Sequence, residues 1–109
     1  MNREELTEAN SLIQQNQFAK LKKFMHNHHV THKQLNLDHY VFTIRELMLT
    51  ASLYGMHEIF KWLYENYYSL LNEKNQQYVA KWLPRCLALA NRNSRFHLLQ
   101  NYLKSLLQK

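Results

Sequence analysis

Glycine, proline and cysteine each occur once among the 109 residues, at Gly55, Pro84 and Cys86. Hairpins and tight sheet turns draw on Gly, Asn-Gly and Pro, so a chain this poor in them is not built from many strands, and an all-helical fold is expected. A glycine-rich phosphate loop is excluded on the same ground. One cysteine cannot close an internal disulfide, which fits a reducing compartment. No run approaches the roughly 18 consecutive apolar residues of a membrane-spanning helix. The polar opening "MNREELTEAN" has no basic run followed by an apolar stretch, so no secretory leader is expected. Together these point to a cytoplasmic protein, in the producing cell or in a host.

What is present is a hydrophobic content of 46 %, with seven Tyr, five Phe and two Trp, well above that of a disordered chain. The length suits one domain with a core of moderate size. The apolar residues recur at helical spacing. In "QFAKLKKFM", Phe18, Leu21, Phe24 and Met25 form one face and Lys20, Lys22 and Lys23 the other. Met56, Ile59, Phe60, Leu63, Tyr64 and Tyr67 form a second stripe, and Leu98, Leu99, Tyr102, Leu103 and Leu106 a third.

Each stripe follows another apolar-periodic stretch: about 4–15 (Leu6, Ala9, Leu12, Ile13), about 39–54 (Tyr40, Val41, Ile44, Leu47, Met48, Ala51) and about 84–91 (Cys86, Leu87, Leu89, Ala90). Pro84 suits a first helical turn and biases Leu83 away from helix. That leaves "NEKNQQYVAKW" as a separate short helix or an ordered approach segment. Gly55 can adopt the left-handed conformation that ends a helix, and Asn16 and Asn93-Ser94 can cap the others. Connections this short predict antiparallel partners.

The chain is also similar to itself. A shift of about 38 lays Phe18, Leu21, Phe24 and Met25 on Met56, Ile59, Trp62 and Leu63. A further shift of about 39 lays Ala51, Ile59, Phe60, Leu63 and Tyr64 on Ala90, Leu98, Leu99, Tyr102 and Leu103. The expectation is a single domain of about three stacked antiparallel helix pairs, at roughly 4–29, 39–71 and 84–107, with a compact helical bundle as the alternative.

Residues 45–66, "RELMLTASLYGMHEIFKWLYEN", resemble an ankyrin repeat. Leu47, Ala51, Gly55, Glu58, Ile59, Lys61 and Leu63 stand where that family has its inner-helix Leu, its packing Ala, its turn Gly and its outer helix. The family's Thr-Pro-Leu-His opening and its Gly-Ala-Asp close are missing, and the period is about five residues longer than the usual ~33. The resemblance therefore implies stacked helix pairs but not the β-fingers. It also implies a non-catalytic protein that binds another protein through inner helices and loops.

Chemical motifs are sparse. "HNHHVTHKQLNLDH" (26–39) offers His28 and His32 one helical turn apart, with Asp38 and His39 nearby, but no cysteine, and it reads first as a connecting loop. A pH-responsive contact is the cheaper alternative. His57-Glu58 begins a zinc-protease motif that Lys61 breaks. Cys86 and His97 could be paired as nucleophile and base, but Cys86 sits in an apolar helix and reads as a core residue. Glu4, Glu5 and Glu8 read as a solvated first turn. No catalytic residue, metal or cofactor is expected.

Interfaces draw on Tyr, Trp and Arg, so Tyr40, Tyr54, Tyr67 and Tyr68 at helix ends, with Arg45, Arg85 and Arg92, are the expected partner-binding residues. The net charge of +6 supports a rival reading, a basic module that contacts nucleic acid or an acidic surface through Lys20, Lys22, Lys23, Arg92 and Arg95. Generous use of Asn, Lys, Tyr, Ile and Phe is what AT-rich codons produce. On that basis a bacterial effector, its regulator or a viral host-interaction protein fits the leading reading.

Overall fold

The computed structural model describes residues 2–28 and 37–108 of the chain. These are helical, with no strand among them. The helices are α1 (Arg3–Gln14), α2 (Phe18–Asn27), α3 (Asp38–Leu53), α4 (His57–Asn66), α5 (Glu73–Ala80), α6 (Leu83–Ala90) and α7 (His97–Leu107). Single 3₁₀ turns, Tyr68–Leu70 and Ser94–Phe96, follow α4 and precede α7. Among the described residues no helix is long and apolar enough to cross a membrane.

The helices pair as α1–α2, α3–α4 and α6–α7, and α3 also packs on α1 and α6. An inner row α1–α3–α6 is thus backed by an outer row α2–α4–α7. The molecule measures 35 × 31 × 19 Å, and its short axis is about two helix diameters. Glu5 near the start of α1 contacts His28 at the end of α2, as an antiparallel pair requires.

Different side chains set the spacing in the two rows. The inner row has small buried residues, Ala9, Ala51, Ser52, Cys86 and Ala90, which let backbones approach closely. Ser52 Oγ donates to the Met48 carbonyl at 2.8 Å and also engages Cys86 across the α3–α6 contact. The outer row is spaced by rings. Phe18 meets Trp62 edge-on at 5.8 Å, and Tyr102 meets Phe60 and Tyr64 edge-on at 6.1 and 6.2 Å.

The first two connections are built alike. Asn16 (φ 54°) and Gly55 (φ 67°), thirty-nine positions apart, both take the left-handed conformation. The N–H of Gln17 donates to Leu12 O and that of Asn16 to Ile13 O. Likewise the N–H of Met56 donates to Ala51 O and that of Gly55 to Ser52 O. Both are Schellman caps, which satisfy the last carbonyls and reverse the chain. The third connection has no such residue; Asn93 Oδ1 instead accepts from Arg95 N at 2.9 Å and opens the 3₁₀ turn. That turn places Phe96 against Gly55, where a Cβ would lie 2.3 Å from the ring.

Two local expectations change. Leu83 is the first residue of α6, despite preceding Pro84. Lys81 and Trp82 are already in right-handed helical conformation, and Leu83 is buried, so packing overrides the local bias. The outer helix of the second pair stops at Asn66. There Asn66 Nδ2 donates to Trp62 O, and Ser69 Oγ donates to Glu65 O, the carbonyl that a continuing helix would offer to the Ser69 N–H. "NEKNQQYVAKW" does contain a helix, α5, with Asn72 Oδ1 accepting from Asn75 N at 2.9 Å as its N-cap.

Burial pushes the Cys86 thiol up to about 11, and it raises Tyr64, Tyr67 and Tyr68 above the ordinary phenol value. Burial first, then Glu65 and Tyr64, pushes Tyr102 up to about 12. Folded, these groups keep their protons to higher pH than they do in the unfolded chain. Their contribution is therefore intact at neutral pH and is lost as pH rises from about 9 toward 12, where the unfolded chain ionises first. Alkaline titration should give a cooperative loss of helical circular dichroism coincident with the tyrosinate absorbance at 295 nm.

Gly55→Ala combines a left-handed non-glycine residue with overlap on Phe96 and should destabilise by about 2–5 kcal/mol. Asn16→Gly should be within about 0.5 kcal/mol of the parent, since that site asks only for the left-handed conformation. Urea unfolding of the two variants checks the contrast.

Candidate partner-binding surface

The residues expected to bind a partner do not form one cluster. Tyr40, in the first turn of α3, packs on His39 with ring centres 4.2 Å apart, whereas Tyr54 caps the other end of the same helix. Tyr67 is half-buried edge-on to Trp62, and Tyr68 stacks on Tyr64 while its hydroxyl donates to Gln76 O at 3.3 Å. Arg85 and Arg92 are exposed, one in the first turn of α6 and the other just beyond its end. Of the rival's residues, Lys20, Lys22 and Lys23 lie on α2 in the first pair. Arg92 and Arg95 lie in the connection of the third pair, so the central pair stands between the two groups. Lys22 Nζ already sits 4.2 Å from the centre of the Phe18 ring, beside a shallow hollow of about 270 Å³ between α2 and α4.

Arg45 is different. It lies one turn beyond Phe42 on α3, and its side chain is only 12 % exposed. The guanidinium carbon is 4.4 Å from the centre of the Phe42 ring and 4.5 Å from that of Trp82. Nη1 donates to the Tyr78 hydroxyl at 2.8 Å and Nη2 to Glu46 Oε1 at 2.9 Å. Nε is buried without a partner. A planar cation can face two rings and still donate from its edge, which a lysine cannot do. Arg45 therefore ties α3 to α5 and to the start of α6.

Next to this cluster a groove of about 570 Å³ runs between the start of α3 and α5. Val41, Phe42 and Tyr78 line its apolar part. Asp38 and His39 form one wall, and Lys74 and Asn75 the other. Phe42 and Tyr78 keep 44 % and 40 % of their surface exposed, although each also touches Arg45. Half-wet aromatic rings beside a concave, mostly apolar surface are typical of recognition sites.

Sequence reasoning named Arg45 among the expected interface residues but not Phe42, Tyr78 or Trp82. The signal was the i, i+3 spacing of Phe42 and Arg45 together with the i, i+4 spacing of Tyr78 and Trp82 in a segment otherwise rich in Asn, Gln and Lys. Nothing local says that these two pairs meet.

Elsewhere, titratable groups are engaged in local contacts. Glu5 closes a capping box: its N–H donates to Asn2 Oδ1 at 2.8 Å and its carboxylate accepts from Asn2 N at 3.1 Å. The Asn2 N–H, and then His28, hold that carboxyl below its usual range. His28 is thus engaged by α1, while His29 and His32 lie outside the described residues. Among the described residues no three His, Cys, Asp or Glu side chains gather as metal ligands. Cys86 is buried, and His97 is exposed at the start of α7. Comparison with models of known protein families, with curated proteins and with solved structures finds no match to this chain.

Arg45→Ala should cost about 1–3 kcal/mol, through lost stacking and a Tyr78 hydroxyl left without its partner. Arg45→Lys should recover less than half of that, because the charge returns without the plane. Chemical denaturation monitored by tryptophan fluorescence measures both.

Proposed function

We propose that the chain is a non-catalytic protein-binding module that docks a segment of a partner protein in the groove between α3 and α5, and blocks or tethers that partner. The observation that carries this reading is the pair of half-exposed rings, Phe42 and Tyr78, held in place by Arg45 beside a mostly apolar hollow. Rings fixed by a buried arginine lose little freedom on binding, so more of their burial appears as affinity. Stacked helix pairs also suit the ankyrin-like pattern of residues 45–66, in which Ala51 is fully buried and Gly55 turns the chain. A cytoplasmic setting, in the producing cell or in a host, suits a single buried thiol, and an effector-like or regulatory role is the form this reading takes.

The nucleic-acid reading is weaker. Its two basic groups belong to opposite end pairs, and one of its lysines already packs on an aromatic ring.

Affinity capture with the full chain tests the proposal. A partner retained by the parent protein and by a Leu98→Ser control, Leu98 being 59 % exposed on α7, should be lost at least tenfold from Phe42→Ser/Tyr78→Ser. Nuclease treatment should not change retention. Equal retention by the groove variant, or loss on nuclease treatment, would overturn the reading.

A further inference from the structure

If the groove docks a protein segment, its charges and shape restrict what that segment is. Along α5 and its C-cap, Lys74, Tyr78 and Lys81 recur at i, i+4 and i+7, so an aromatic ring is flanked by two ammonium groups on one stripe, of which Lys74 and Tyr78 line the groove and Lys81 lies one turn beyond them. Arg85 follows in the first turn of α6. Arg45 has its counter-charge in Glu46, but Lys74, Lys81 and Arg85 have no carboxylate within ion-pairing distance among the described residues. The opposite wall carries Asp38, so the two walls differ in sign. The described residues also present no strand edge that an extended peptide could prolong, whereas a channel between two helices is the geometry that receives a third.

From this juxtaposition we infer that the occupant is an amphipathic helix of a partner protein, with one flank acidic: its apolar stripe lies on Val41, Phe42 and Tyr78, and its carboxylates face Lys74 and Lys81. This rests on the docking reading above and adds the partner's chemistry and orientation. Opposite signs on the two walls favour one direction of the incoming helix, because reversal sets its carboxylates against Asp38. The excess positive charge of the whole chain adds attraction at a distance.

The test uses the full chain and three fluorescein-labelled synthetic helical peptides of one design. The first has a Leu/Phe stripe and a Glu flank. The second carries Lys for every Glu, and the third carries Ser for every Leu and Phe. Anisotropy at low and physiological salt should show the acidic peptide binding about tenfold or more tighter than the basic one, and the Ser peptide not binding. Lys74→Glu/Lys81→Glu, with unchanged circular dichroism, should reverse the preference. Phe42→Ser should weaken the acidic peptide by at least tenfold.

Equal binding of acidic and basic peptides, abolished by Phe42→Ser, would overturn the charge assignment and leave groove docking standing. Acidic-peptide binding that survives Phe42→Ser, or that duplex DNA displaces as effectively as unlabelled peptide, would mark electrostatic adsorption and overturn the inference. Binding of neither peptide would overturn it as well, while partner capture sensitive to Phe42→Ser/Tyr78→Ser would still uphold docking.

Discussion

The close packing of α3 against helices on several sides is the constraint on which the rest of the molecule depends. Along its sixteen residues Val41, Thr43, Ile44, Leu47, Met48, Ala51 and Ser52 are all buried. A helix covered on so many faces cannot be amphipathic in the ordinary sense, and its polar atoms must be satisfied internally. Thr43 and Ser52 do this by donating back to the carbonyls of His39 and Met48, both at 2.8 Å. Where α3 meets α6 the side chains are small, so backbones approach closely and the third pair stacks on the second. With bulkier groups there the inner row would open, and the ring contacts between Tyr102 and α4 would be lost with it.

The candidate site follows from an interruption of that stack. Between the second and third pairs the chain inserts α5, which lies on α3 rather than continuing the two-row pattern. A helix laid beside another at the edge of the stack covers it incompletely, and the uncovered part is the groove at Phe42 and Tyr78. Arg45 makes this arrangement rigid. Its guanidinium joins three aromatic residues from α3, α5 and the α5–α6 junction, and Glu46 balances its charge. In a site of low polarity such a cation would be costly if unpaired; paired and stacked, it fixes where the rings point.

Much of the fold was legible because helical periodicity is a local property. The stripes at Phe18–Met25, Ile59–Tyr64 and Leu99–Leu106 each became a helix facing the core, whereas Leu98, expected on the third stripe, points to solvent one position off that face. Gly55 and Asn16 took the left-handed conformation that their residue types favour. Leu83 was misread because a local steric bias was outweighed by burial. Where α4 ends was not legible, because Asn66 and Ser69 donate to backbone carbonyls there, an effect that apolar periodicity does not register. Of the site, Arg45 was legible as an interface residue type. Its aromatic partners were not, since Tyr78 and Trp82 are more than thirty residues away from it.

By itself, then, the sequence determined the all-helical class, the positions of the tight turns and the burial of Cys86, because each depends on residues within a turn or two of one another. Tertiary structure alone decided which rings surround Arg45, which lysines remain without a counter-charge among the described residues and where a groove stays open. These depend on the angle and offset at which α5 rests on α3. That geometry is set by side chains meeting from distant parts of the chain, and no short stretch encodes it.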